Sequence, residues 1–172
     1  MSDNSIWGTL ARADAGVDVT VRHVYRTSAA DLWSAVTEPD RLARWLGRVT
    51  GDLREQGSYS LVFEEDDDSQ RASGVVLRCD APRELVVTWA FPGEPDAGTV
   101  RVELEAVDGG TELTLTHRGL ADRLAAGYGA GWQVHLEGLE GHVDGPVGTP
   151  LPWDAGRFDH LLTAYTALAA GA

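Results

Sequence analysis

The sequence predicts an α+β fold. A curved antiparallel sheet carries two small helices after its first main strand, one long helix across its face and one further helix at the end. Three observations predict this. Short segments of period-two alternation follow one another between turn residues. Such a meander makes an antiparallel sheet with one buried face. Residues 121–144 then hold a long segment of helical spacing that can cover that face.

The elements follow in order. Residues 6–12 (IWGTLAR) and 17–26 (VDVTVRHVYR) read as strands joined by the turn ADAG. In the second, Val17, Val19, Val21, His23 and Tyr25 share one face. TSAADLWSAV opens a helix, with Ser28 as its cap and Asp31 favourable near the N-terminus. TEPDRLARWLG gives a second helix. Thr37 is its expected cap, Pro39 is tolerated in the first turn, and Gly47 is a natural stop. Leu42, Trp45 and Leu46 form its apolar side.

Strands then come in quick succession. RVTGDLRE is short, and SYSLVFEE puts Tyr59, Leu61 and Phe63 on one face. EEDDDSQ is an exposed acidic loop, and RASGVVLRCD is the next strand. ELVVTWAF aligns Leu85, Val87, Trp89 and Phe91, and PGEPDAG is a loop. TVRVELEAV turns Val100, Val102 and Leu104 inward. After the DGG turn, TELTLTHRGL aligns Leu113, Leu115 and His117. Beyond the long helix, DGPVGTPLP breaks the chain. WDAGRFDHLLTAYTALAA reads as an amphipathic helix with Phe158, Leu161, Leu162 and Tyr165 at helical spacing.

The long helix has an unusual composition. Six glycines lie from Gly127 to Gly145, and each costs about 1 kcal/mol against alanine in a helix interior. With Trp132 as origin and 100° per residue, Leu136, Leu139 and Val143 fall within about 40° of it. That stripe should face the sheet. Gln133, Glu137, Glu140 and Asp144 fall on the expected solvent side, and Gly131, His135, Gly138 and His142 form a flank beside the stripe. Leu124 and Tyr128 extend that flank toward the helix start. Two readings are open. Either the flank borders a cavity, or its glycines let another element pack closely.

The totals narrow the classes of function. A length of 172 residues fits one domain with a real core. The net charge of −13 repels phosphate backbones, which argues against a nucleic-acid partner. No apolar run is long enough for a membrane span, and the N-terminus lacks the pattern of a signal peptide. The single cysteine, Cys79, fits a reducing cytoplasm. No metal-ligand spacing, nucleotide-binding glycine loop or serine-hydrolase elbow is present, so no metal or cofactor is expected.

The order of these pieces resembles the START-like helix-grip superfamily (SRPBCC, Bet v 1-like), and within it the bacterial branch named for the activator of the heat-shock protein 90 ATPase. The pieces that carry the resemblance are VRHVYRTSAADLWSAVTEPDRLARWLG, REQGSYSLVF, CDAPRELVVTWAF, GTELTLTHRGL and GAGWQVHLEGLEGHV. They span about residues 17–144, with residues 153–170 as an added helix. The resemblance implies a single domain with a deep pocket between the sheet and the long helix. The superfamily uses that pocket for lipids, hormones, polyketides and other apolar molecules.

The expected lining is Trp45, Tyr59, Phe63, Trp89, Phe91, His117, Tyr128, Trp132 and His135. The primary expectation is a non-enzymatic module that binds a small hydrophobic or aromatic molecule. The first alternative is a polyketide cyclase or aromatase-like enzyme with His117 or His135 as acid–base. The second is a protein-interaction module, which needs a contiguous exposed apolar patch. Edge strands and the terminal helix each offer a surface for a homodimer.

Overall fold

The structure is a computed structural model that describes residues 6–63, 67–94, 97–144 and 153–171. Strands β1 (Gly8–Ala13) and β2 (Gly16–Tyr25) open the chain. Helices α1 (Ala29–Thr37) and α2 (Pro39–Trp45) follow. Six strands come next: β3 (Arg48–Gly51), β4 (Ser58–Val62), β5 (Arg71–Asp80), β6 (Glu84–Thr88), β7 (Thr99–Val107) and β8 (Gly110–Leu120). Helices α3 (Asp122–Asp144) and α4 (Ala155–Ala170) close the chain.

The strands form one antiparallel sheet in the order β1-β2-β8-β7-β6-β5-β4-β3. This is the α+β arrangement the alternation predicts. Register explains which side chains go inside. Val19 pairs with His117, His117 with Val100, Val100 with Val87, and Val87 with Val76. That row therefore places one histidine among four valines, all on the face that α3 covers. Val19, His117 and Val76 are completely buried.

The first helix starts as read: Ser28 Oγ accepts from the Asp31 N–H at 3.1 Å. The second does not start at Thr37. Thr37 ends α1, and its hydroxyl donates to the Trp33 carbonyl at 2.6 Å, the usual back-bond of a threonine inside a helical turn. Glu38 takes the cap position ahead of Pro39. The ELVVTWAF strand also stops early, at Thr88. Its ladder nevertheless continues, because the Trp89 N–H donates to Gly98 and the Ala97 N–H to Trp89, at 2.9 and 3.0 Å. Within the expected acidic loop, Asp67 caps a single 3-10 turn at Asp68–Gln70, and residues 64–66 lie outside the described residues. The proline-broken stretch 145–152 lies outside them as well.

The main core fills the space between the sheet and the Trp132, Leu136 and Leu139 stripe of α3. A second cluster joins Ala130 and Val134 of α3 to Leu161 and Tyr165 of α4. This second layer corrects the reading of Gln133 as solvent-facing. Gln133 is completely buried, because α4 and the start of β1 cover that side of α3. Its Oε1 accepts from the Trp7 N–H at 2.9 Å and the Tyr165 hydroxyl at 2.7 Å. Glu137, one turn on, is bidentate to Arg157 of α4, with the closest contact at 2.6 Å.

Candidate functional site

Between the cavity flank of α3 and the open end of the sheet lies a cavity of about 900 Å³. Its floor is the α2–β3 corner around Trp45 and Gly47. One wall is Phe63, Trp89 and Phe91, and the other is α3 from Leu124 to Gly138. Trp153 and Phe158 stand at its edge.

The glycines of α3 divide between the two readings. Gly127, Gly131 and Gly138 line the cavity. A Cβ on Gly127 would meet nothing within 4 Å. On Gly131 it would meet one Phe158 ring atom at 4.0 Å, and on Gly138 the Trp45 carbonyl at 3.9 Å. Gly129 differs, because a Cβ there would lie 2.5 Å from the Tyr165 ring. Three glycines therefore leave space, and one allows α4 to approach.

Of the nine expected lining residues, seven border this cavity: Trp45, Phe63, Trp89, Phe91, Tyr128, Trp132 and His135. Tyr59 and His117 do not. Tyr59 lines a separate apolar void of about 90 Å³ deeper in the core, and its hydroxyl donates to the Thr88 carbonyl at 2.6 Å. Strand alternation puts it on the correct face, but Trp45, Trp89 and Trp132 border both spaces and stand between them.

His117 is held from both ring nitrogens. An indole N–H can only donate, so the 3.1 Å contact from Trp132 Nε1 makes Nδ1 the acceptor. Nε2 therefore carries the hydrogen and donates to the Ala97 carbonyl at 2.5 Å. Burial pushes its pKa down to about 4. The imidazole is neutral with no free lone pair, which removes the geometric basis for its candidacy as acid–base.

His135 is arranged otherwise. Its Nδ1 lies 3.3 Å from the Trp45 carbonyl, which can only accept, so Nδ1 bears the hydrogen. Burial pushes its pKa down to about 4 as well. Its ring lies near those of Phe63 and Trp153, at centroid distances of 5.6 and 4.9 Å. His23, the third inward histidine of the sequence, is remote from the cavity wall and stacks on Trp7 at 3.8 Å. His142 is also away from it, with Nε2 accepting from Arg41 at 3.2 Å, in a cluster where Arg41 also binds Asp31.

The aromatic wall is tied by hydrogen bonds. Trp89 Nε1 donates to the Tyr128 hydroxyl at 3.1 Å, which donates to Glu94 at 2.9 Å. Burial, and then the Glu94 carboxylate, raise the Tyr128 pKa, so the phenol stays protonated. Trp89 meets Trp132 edge-on, with centroids 5.2 Å apart. The sequence reading did not include Glu94, Arg123, Trp153 or Phe158 in the lining. Glu94 sits in a loop whose course alternation does not specify. Trp153 had one signal, since it is a large apolar residue just outside a helix whose own stripe is already complete.

Among the described residues, no three His, Cys, Asp or Glu side chains are grouped to hold a metal. No described helix is long and apolar enough to cross a membrane.

A curved antiparallel sheet closed over a long C-terminal helix, with an aromatic cavity between them, defines the helix-grip class. The sequence profile of the activator of Hsp90 ATPase homolog 1-like proteins matches residues 26–144, and the chain belongs to that family. No curated protein matches the chain. Among solved structures it is similar to CalU16 from Micromonospora echinospora, in solution, at 29% identity and a TM-score of 0.81, covering 99% of each chain. It is also similar to the protein encoded by gene BPP1335 from Bordetella parapertussis, at 26% identity and a TM-score of 0.69, covering 96% of this chain and 94% of that one. The Aha1 dimer from Colwellia psychrerythraea shares the fold at 18% identity and a TM-score of 0.63, over 73% of this chain and 94% of that one.

Proposed function

We propose that this chain binds a small apolar, aromatic molecule in the cavity under α3. The observation that carries the reading is the cavity itself: about 900 Å³, walled by aromatic rings, beside a helix flank bare of side chains at Gly127, Gly131 and Gly138. Ligand sites are typically apolar clefts of about 300–1,000 Å³ with few polar groups. Helix-grip folds host several functions, so the reading rests on this site and not on the fold.

Catalysis of the cyclase kind has less support. His117 has both nitrogens engaged. His135 has its pKa near 4, a poor match for a general base working at neutral pH. A protein-docking role has less support again. The large apolar side chains exposed among the described residues are Val24, Val75, Leu77, Val107, Trp153 and Leu168, which come from five separate parts of the fold.

The test is a titration of the 15N-labelled protein with 2-naphthol, followed by NMR. Binding in the cavity shifts the indole N–H signals of Trp89 and Trp132 and the backbone signals of residues 127–138. No shifts, or shifts confined to the outer face of the sheet, would overturn the proposal.

A further inference from the structure

We propose that His135 is the polar anchor of the cavity: its Nε2 lone pair accepts a hydrogen bond from a hydroxyl or N–H on a flat aromatic ligand, so that such ligands are preferred over their O-alkylated counterparts. The inference rests on the cavity reading above and adds the ligand's chemical class.

The wall's other ring heteroatoms are already engaged. Trp45 Nε1 donates to Ala35, Trp89 Nε1 to Tyr128, and Trp132 Nε1 to His117. The Tyr128 hydroxyl both accepts and donates. Trp153 stands half exposed at the mouth. His135 alone on the inner wall keeps a ring nitrogen that no described residue hydrogen-bonds. Because Nδ1 holds the hydrogen against the Trp45 carbonyl, that nitrogen is an acceptor only. Nor is it sealed. His135 is only partly buried, and it lines the cavity.

The approach to Nε2 is cleared by the helix. On α3 the positions three and four residues from 135 are 131, 132, 138 and 139. Trp132 and Leu139 belong to the buried stripe on the sheet side, and the two on the cavity side, 131 and 138, are glycine. Side chains at those positions would flank the imidazole and crowd the cavity. The rings of Phe63 and Trp153 lie near it, inclined to it by 31° and 47°. A planar ligand in the cavity that these rings line brings a ring substituent to Nε2. A hydroxyl is satisfied there, whereas a methoxy group meets a lone pair with a lone pair. Sites built to hydrogen-bond a ligand group discriminate strongly against the analogue that lacks it.

The experiment compares 2-naphthol with 2-methoxynaphthalene by calorimetry, in the wild type and in His135→Phe and His135→Leu. The wild type is expected to prefer naphthol by about tenfold or more, as for one well-made hydrogen bond to a buried acceptor. Both variants should lose that preference while still binding the methoxy compound to within about twofold. A long-range 1H–15N spectrum of the unmodified protein gives a second readout. It should show His135 protonated at Nδ1, with the Nε2 signal moving on addition of naphthol and still with the methoxy compound. Equal binding of both probes by the wild type overturns the anchor and leaves the cavity reading standing. A preference that survives both His135 variants but falls in Glu94→Gln assigns the anchor to Glu94 and overturns the proposal. Binding of neither probe overturns the cavity reading together with the anchor.

Discussion

Substituting alanine at four glycines of α3 separates space from contact within one helix. At Gly127, Gly131 and Gly138 the new methyl meets nothing closer than 3.9 Å. Only the helix propensity then changes, and each variant gains about 1 kcal/mol. For a chain of this length that raises the melting temperature by about 2–4 °C. At Gly129 the methyl would lie 2.5 and 2.8 Å from two carbons of the Tyr165 ring. That ring is fully buried and its hydroxyl is tied to Gln133, so it has little room to yield. Overpacking costs about 1–3 kcal/mol, which cancels or outweighs the propensity gain, and the melting temperature should hold or fall. Together the three cavity glycines forgo about 3 kcal/mol, against a total stability of about 5–15 kcal/mol for a domain. Thermal and urea unfolding of the four single variants decide the matter. If Gly129→Ala stabilises as much as the others, or if the three cavity variants lose stability, the assignment of these glycines is wrong.

Acid should unfold the protein partly through its inward histidines. The pKa values of His117 and His135 fall from an ordinary 6.5 to about 4 through burial. The unfolded chain therefore binds the extra protons between those values. Stability is full above pH 6.5 and is lost as the pH falls toward 4, by up to about 3 kcal/mol per histidine. His117→Gln should show a smaller loss than the wild type when urea midpoints at pH 7 and 4.5 are compared, and an identical loss would contradict the assignment. Tyr128→Phe leaves the Trp89 indole N–H without its partner and should cost about 1–3 kcal/mol by urea unfolding. Arg157→Met breaks the bidentate pair with Glu137 that ties α4 to α3. It should speed hydrogen exchange in α4 while leaving the β2–β8 ladder protected, and equal loosening of both would refute a local role.

The sheet and the helices were legible because each carries its own period. Alternation specified the inward faces of β2, β7 and β8, and the helical stripe of Trp132, Leu136 and Leu139 was found on the sheet side. The glycine flank was legible as an anomaly, but its two readings could not be separated by spacing. Gly129 and Gly131 differ only in whether Tyr165 stands over them, and that depends on the docking of a distant helix. The same docking turned Gln133 from a surface residue into a buried hub. His117 and Tyr59 were placed on the correct face, but alternation does not report depth. Three tryptophans screen Tyr59 from the larger space, and paired valines with the Trp132 indole enclose His117. Glu94 carried no periodic signal, because its position comes from a hairpin and not from a strand face.

The central claim is that the space under α3 is a binding site. Gly131→Leu tests it most directly, because it places a side chain into that space from a position with no close neighbour. Calorimetric titration of 2-naphthol into wild type and variant, with circular dichroism and a melting curve to show that the fold is kept, is the measurement. The account predicts saturable binding to the wild type and a loss of at least about tenfold in affinity for the folded variant. Unchanged affinity in a folded Gly131→Leu protein would place the ligand elsewhere and contradict it.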